Sequence, residues 1–540
     1  MVPVGAEGGR CYAAPAVRTP VILYVFALIV RAALVVAYPD PGYTDAYYYV
    51  DAARSLAQGN GLTVDVLWIF PEVGGGIPAD PTLPIPAFGH WMPLATLVQV
   101  PFLAVFGPEP WASAAPFVLI GALAAPLTWA IARDAGAGPL VAVGGGVLTA
   151  IPALSVAFMA QPDNFALFQP LAVGALWMTA RGLKGSRRSF VIAGLLAGLA
   201  TLSRSDGILV LAVVLLAFGW DQTRGRHVLS WGALGAAVLA FMLVMAPWWI
   251  RQLAVFGTLS PSVASGKVFF IQSIGEWNSI ATPATLERLL SMGPGPLLGT
   301  RIGGLVAALA IYAVLITGLV LLPFVIVGAW ARRRSVDFGP FFTYAALLFG
   351  FSAIVSAIHV PGGTFIHSAV ALAPYSYVLA LEGVAVAVAW LGRRRTTWDP
   401  AATTRLAIVG TVGVVVIGAL ASVMVVHAGW GAGRDRLLAV RDALDAAGAP
   451  QTARVMSIDS AATRYWTGRG GVVLVNDPLD AIAQVADSYD IEWLVLDRGA
   501  VAPTNPILDG ERPAWLGEPI LEDGDPVRQA VYPVETQAAE

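Results

Sequence analysis

The chain has 540 residues, 57% of them hydrophobic and only 12% charged, with a formal net charge of -3. Soluble chains carry about 25% charged residues, so a soluble globular class is excluded, and the slightly acidic balance argues against a nucleic-acid partner. A single cysteine, Cys11, leaves no disulfide framework and no cysteine-based metal site.

The charges come in clusters separated by apolar runs of about 20 residues, the length that spans a bilayer. This pattern describes a polytopic α-helical membrane protein. The first apolar run lacks a small-residue cleavage site and reads as a retained helix rather than a signal peptide. Arginine outnumbers lysine, and alanine and glycine abound, which suits a bacterial plasma-membrane protein.

Basic clusters mark cytoplasmic loops. They occur at Arg10/Arg18, Arg133, Arg181 to Arg188, Arg224/Arg226, Arg332 to Arg334 and Arg393 to Arg395. Placing all of them inside gives spans near 20–38, 111–132, 139–160, 165–181, 189–203, 207–221, 229–250, 301–331, 340–358, 368–391 and 404–427. The expectation is eleven crossings, with the N-terminus cytoplasmic and the C-terminus extracytoplasmic. The apolar segment His90–Gly107 is short, contains two prolines and would invert every later cluster, so it reads as an interfacial or half-inserted segment. Residues 1–430 then form the membrane domain, with a first outer loop at 39–110 and a second at 251–300. The carboxylates Asp45, Asp51, Asp65, Glu72, Asp80, Asp163 and Asp206 fall on the outer side.

The stretch "PDPGYTDAYYYVDAARSLAQGNG" (39–61) follows the first span. Thr44 suits an N-cap, and Asp45 suits the first turn of a helix, where a carboxylate complements the dipole. Apolar residues at helical spacing run to Ala57, and Gly59-Asn60-Gly61 stops the helix. This reads as a short helix on the membrane surface, its tyrosines forming an interfacial belt or lining a site. Trp248 and Trp249 read as interfacial anchors.

From residue 431 the composition changes. "DRLLAVRDALDAAG" and "DPLDAIAQVADSYD", the latter with Asp477 as N-cap, read as helices, and "ARVMSID", "GVVLVN" and "IEWLVLD" as strands. Residues 431–540 thus form a small extracytoplasmic α/β domain with an irregular tail after Gly499.

Four polar points share the outer surface: Asp45, His90, Asp163 and the pair Arg204/Asp206. An arginine there breaks the positive-inside pattern, and its planar fork matches a phosphate, which at headgroup level belongs to a lipid. A carboxylate can take a proton from an acceptor hydroxyl, and a cation can stabilise a departing phosphate. The histidines His90, His359 and His367 lack metal-ligand spacing, so no metal and no other cofactor is expected. Glu276 and Lys267 lie in the second outer loop, which is long enough to cover the site.

"YTDAYYYVDAARSLAQGNGLT", "HWMPLATLVQVPFLAVFG", "PDNFALF", "GLLAGLATLSRSDGILVL" and "GTFIHSAVALAPYSYVLAL" together resemble the GT-C glycosyltransferase superfamily, in particular its aminoarabinose transferases and protein O-mannosyltransferases. The tail "RVMSIDSAATRYWTGRGGVVLVN" is similar to the α/β tails of such enzymes. The resemblance implies a GT-C-like fold for the eleven-span membrane domain, a polyprenyl-phosphate-linked sugar donor and inversion at the anomeric carbon; the acceptor stays open between a lipid, a cell-wall glycan and a protein. The resemblance also implies Asp45 as catalytic base, Asp163 as supporting acid near the acceptor or phosphate, and Arg204 as a donor-phosphate contact. Beside it, Lys267 is a weaker candidate for the phosphate than Arg204, and Tyr48, Tyr49, His90, Asp206 and His367 are candidate acceptor or wall residues. The chain departs from the pattern where Ala46 follows Asp45, where His90 stands for the usual basic residue, and where only Pro93 of a proline pair remains. A polysaccharide or lipid transporter, or a non-catalytic envelope-assembly protein, is the alternative. A transporter favours repeats and charges at the midplane, whereas the charges here gather at one surface.

Overall fold

The computed structural model describes residues 18–74, 76–259, 269–358, 364–394 and 399–535. Seven of its helices are long and apolar enough to cross a membrane, or eight if the pair Pro139–Ala150 and Ala153–Ala160, bent by 55°, is one span. The chain is a multi-pass membrane protein. Helices also occupy the expected spans at Phe165–Leu183, Arg187–Ser203 and Gly339–Ile354. Among the described residues, length and composition alone qualify seven or eight helices as crossings, against the eleven expected from the charge pattern.

The expected span 301–331 is not one helix. Pro294–Ile311 runs into a π-helical turn at Tyr312–Ile316, and a second helix starts at Leu322. Gly318 and Leu319 both take positive φ at the break, which a regular helix cannot accommodate. The Leu322–Arg332 helix packs closely on Ala373–Gly392. A Cβ on Gly328 would lie 2.0 Å from the Leu379 carbonyl oxygen, and one on Gly383 would lie 2.0 Å from that of Phe324. This contact depends on reciprocal small residues, as helix packing in lipid does.

His90–Gly107 forms the short helices Leu94–Leu97 and Val100–Phe106, too short to cross. Pro400–Ala446 is a single helix of 47 residues, about 70 Å long at 1.5 Å per residue. It is apolar at its start and charged at its end. Its last turns bury Val440 and Leu444 against Val455, Val495 and Val531.

Those valines belong to a six-stranded sheet of β1 (Val66–Leu67), β2 (Val455–Ser457), β3 (Gly471–Val473), β4 (Trp493–Asp497), β5 (Leu521–Asp523) and β6 (Gln529–Pro533). Its order is β1-β3-β2-β4-β6-β5. The first four strands are parallel, and β6 pairs antiparallel with both β4 and β5. The tail expected to be irregular therefore supplies two strands. Edge strand β1 comes from the loop after the first helix, with Val66 opposite Gly471, and an Arg454–Asp65 ion pair reinforces the junction. Asp477 does not cap its helix, whose N-cap is Pro478. Instead its carboxylate accepts from Ser279 Oγ and from the amides of Ile280, at 2.7 Å, and Ala281, tying the second large loop to the sheet.

Candidate active site

Thr44–Ala57 is helical as expected, with Asp45 in its first turn. It does not lie on a lipid surface. Tyr47, Tyr48 and Tyr49 are all buried, because the helix is held between two elements. On one side Tyr47 packs against Tyr465 and accepts a hydrogen bond from Trp466 Nε1 at 3.0 Å. On the other, Thr96 Oγ1 donates to the Tyr49 carbonyl at 3.0 Å. Thr44 does not act as N-cap. It is the first helical residue, and its hydroxyl donates to Asp459 Oδ2 at 2.8 Å.

One face of this helix borders a cavity of about 410 Å³. Asp45, Tyr49, His90, Arg204, Asp206 and His367, separated by up to 322 positions in the chain, all line it. Tyr48 does not. Its hydroxyl points away, donating to Glu72 Oε1 at 3.0 Å and accepting from the Phe88 amide at 2.8 Å. Lys267 and His359 lie outside the described residues.

Asp45 keeps 24% of its side chain exposed. Its Oδ1 accepts from Trp91 Nε1 at 3.1 Å, and its Oδ2 is 3.6 Å from His367 Nε2. Burial and the nearby Asp163 charge push its carboxyl up to about 6, against the opposing pull of His367, Arg204 and the Trp91 hydrogen bond.

Asp163 is completely buried and does not line the cavity. Its Oδ2 accepts from Tyr43 Oη at 2.8 Å and lies 3.0 Å from His367 Nε2, and its Oδ1 accepts from the Asn164 amide. Phe165 stacks on the imidazole with centroids 3.9 Å apart. Asp163 therefore orients His367, which faces the cavity. Asp45, Asp163 and His367 bring three ligand atoms within 4.8 Å of one another, a donor set that a divalent cation could accept.

Arg204 Nε donates to Asp206 Oδ1 at 3.0 Å and to Ser368 Oγ at 2.9 Å. Asp206 in turn accepts from Ser368. The cation expected for a phosphate is thus held by a carboxylate of the same turn. His90 lies between Trp91 and Trp277, with ring centroids 4.9 and 5.1 Å away. Burial, reinforced by the Arg204 charge, lowers its imidazole to about 4, so this position is neutral at physiological pH.

Trp68, Trp91 and Trp277 add an aromatic wall. The sequence reading missed all three, as well as Tyr43, although Trp91 stands beside His90 in the motif quoted for the family. Ile208, Ile274 and Val355 line the cavity and are also exposed to the outside, so the mouth is apolar. Ile274 and Trp277 come from the second large loop, which does cover the cavity, while Glu276 turns away to Arg288. Trp248 is not a surface anchor. It is buried, its ring 5.9 Å from that of Phe88.

Residues 90–250 match the family model for dolichyl-phosphate-mannose-protein mannosyltransferase. His90, Trp91, Asp163, Arg204 and Asp206 fall within the match, and Asp45 and His367 outside it. No curated protein matches in sequence. Among solved structures, ArnT from Cupriavidus metallidurans bound to undecaprenyl phosphate is similar with TM-score 0.55 and 14% identity, over 97% of this chain and 100% of that one. The oligosaccharyltransferase AglB from Archaeoglobus fulgidus, in complex with an inhibitory peptide and a dolichol-phosphate, is similar with TM-score 0.53 and 13% identity, over 89% of this chain and 69% of that one. The chain has the fold of these GT-C glycosyltransferases and resembles ArnT and the mannosyltransferase family.

Proposed function

We propose that the protein is an inverting glycosyltransferase that moves a sugar from a polyprenyl-phosphate donor to an acceptor hydroxyl at the extracytoplasmic face of the membrane. One observation carries the reading: a carboxylate raised to about 6, Asp45, shares a cavity wall with Arg204. The names of the similar structures, one bound to undecaprenyl phosphate and one to a dolichol-phosphate, support the choice of donor.

In the proposed step Asp45 accepts the proton of the acceptor hydroxyl. The hydroxyl oxygen attacks the anomeric carbon from the face opposite the phosphate. The bond from that carbon to the phosphate oxygen breaks, its electron pair leaves with the phosphate, and the products are the glycoside and polyprenyl phosphate. Arg204, its guanidinium positioned by Asp206 and Ser368, stabilises the departing phosphate. The exposed apolar mouth at Ile208, Ile274 and Val355 suits a prenyl chain lying in the bilayer. The tryptophan wall suits the apolar face of a sugar ring. His367, fixed by Asp163, holds Asp45 in position.

The test is transfer by purified wild type and Asp45→Asn in liposomes, with a panel of radiolabelled polyprenyl-phosphate sugars and candidate acceptors. The expected result is release of polyprenyl phosphate by wild type and its loss in Asp45→Asn with donor binding intact. Equal turnover by the two proteins would remove Asp45 from the chemistry.

A further inference from the structure

A second cavity lies away from the active site, in the sheet-bearing part of the chain. Strand β2 is followed in sequence by β3 on one side and then by β4 on the other, so the chain reverses its direction across the sheet between β2 and β4. In open parallel sheets such a reversal opens a crevice beyond the carboxyl ends of the two strands, where ligands bind. A cavity of about 270 Å³ occupies that place. Ser457 and Asp459 come from the end of β2 and the residues after it, Asp497 from the end of β4, and Gln529 from β6. The Pro400–Ala446 helix closes it with Trp430, and the Thr44–Ala57 helix contributes Tyr47.

The chemistry of the lining selects a ligand class. Gln529 is buried and its Nε2 donates to Asp497 Oδ1 at 2.9 Å. Two carboxylates, a hydroxyl and an amide supply hydrogen-bond acceptors and donors suited to a hydroxyl-rich molecule. The Trp430 and Tyr47 rings supply apolar surface for the C–H face of a sugar ring. The lining charges balance: Asp459 and Asp497 face the cavity together with Arg434 and Arg436, Arg434 is paired with Asp435 at 2.9 Å, and the Arg436 charge acts on Asp497, so no unbalanced positive charge is left to select an anion. We propose that this crevice is a carbohydrate-binding site for neutral or amino-bearing oligosaccharides, separate from the catalytic cavity.

The first turn of the Thr44–Ala57 helix joins the two sites. Gly42 and Tyr47 face the crevice, Thr44 bonds to Asp459, and Asp45 faces the catalytic cavity. A glycan held in the crevice therefore meets this helix at Tyr47, two residues from Asp45, which fits one end of an extended acceptor.

The test needs no donor lipid and so does not depend on turnover. Neutral gluco-, manno-, galacto- and arabino-oligosaccharides, with inositol hexaphosphate as an anionic control, are titrated into the purified full-length protein in detergent, with binding followed by calorimetry and saturation-transfer NMR. Saturable binding of at least one neutral oligosaccharide is expected. It should weaken at least tenfold in Asp497→Ala and in Trp430→Ala, each checked for unchanged circular dichroism and melting, and should persist in Asp45→Asn. No saturable binding across the panel overturns the proposal. So does selective binding of the anion, or binding that is lost in Asp45→Asn but kept in the two crevice variants.

Discussion

The indole N–H of Trp91 donates to Oδ1 of Asp45 across 3.1 Å. The two residues are 46 positions apart and meet because the loop after the first membrane helix folds back over the Thr44–Ala57 helix. This bond favours the ionised form of a carboxylate that burial drives toward the neutral one. Removing it in Trp91→Phe is predicted to raise the Asp45 pKa further. The acid limb of the pH–rate profile should move up by about one pH unit, the scale of one charged hydrogen bond, with turnover near neutrality falling about twofold, falling further at lower pH, and recovering in alkaline buffer. An unshifted limb would assign the loss to the aromatic wall instead.

Asp45 also links pH to stability. An unfolded aspartate ionises near the ordinary value of 3.8, whereas the folded group is raised to about 6. The folded state therefore holds the proton longer, and stability falls as pH rises from about 4 to about 6 and then levels off. Asn is neutral throughout. Asp45→Asn is predicted to be inactive yet more stable than wild type at neutral pH, by on the order of 2–3 kcal/mol at most, with the difference vanishing near pH 4. Melting curves in detergent at the two pH values check both the sign and the window.

Arg204 and Asp206 are nearly buried partners at 3.0 Å. Removing only the arginine leaves an uncompensated buried carboxylate, which costs about 3–5 kcal/mol. Arg204→Ala is predicted to melt early, and Arg204→Ala with Asp206→Ala to recover most of that loss. Turnover should stay low in both, with KM for the donor raised. A double variant with normal donor KM would separate Arg204 from the phosphate.

Asp477 fastens the second large loop through Ser279, Ile280 and Ala281, while Ile274 and Trp277 of that loop cover the cavity. Asp477→Ala is predicted to speed amide exchange in residues 272–281 and to lower turnover several-fold with the membrane helices unaffected. Exchange mass spectrometry reads the first effect directly.

Asp45, Asp163 and His367 could accept a divalent cation by spacing, yet Asp163 is already satisfied by Tyr43, Asn164 and His367. Turnover is predicted to survive dialysis against a chelator. Loss of turnover that manganese or magnesium restores would reassign these three residues as metal ligands.

Much of the architecture was legible in the residues. Long apolar runs between arginine clusters can only bury their backbone polar groups as membrane helices. The Thr44–Ala57 helix, the three central strands and the failure of His90–Gly107 to cross followed from length, periodicity and glycine or proline punctuation. Asp45, His90, Arg204 and His367 were named from their residue types and surroundings, and they converge on one cavity.

The remainder depended on contacts between distant segments, which local pattern does not encode. Thr44 has an N-cap's chemistry, but Asp459, 415 positions away, takes its hydroxyl. Asp477 sits where a cap belongs but is drawn to the loop amides instead. Tyr47, Tyr48 and Tyr49 are compatible with a lipid interface, and they are buried by distant segments instead: Tyr47 by Tyr465 and Trp466, Tyr48 by Phe88 and Trp91, and Tyr49 beside Thr96 and Asn164. Asp163 and His367 each read as a lone polar residue until folding sets them 3.0 Å apart. By itself the sequence determined that the chain is a multi-pass helical membrane protein and where its long apolar segments lie, because hydrophobicity and charge act over a single segment. Only the tertiary structure decided which carboxylate faces the cavity and which is buried behind it, because hydrogen bonding and desolvation depend on every segment that packs around the group.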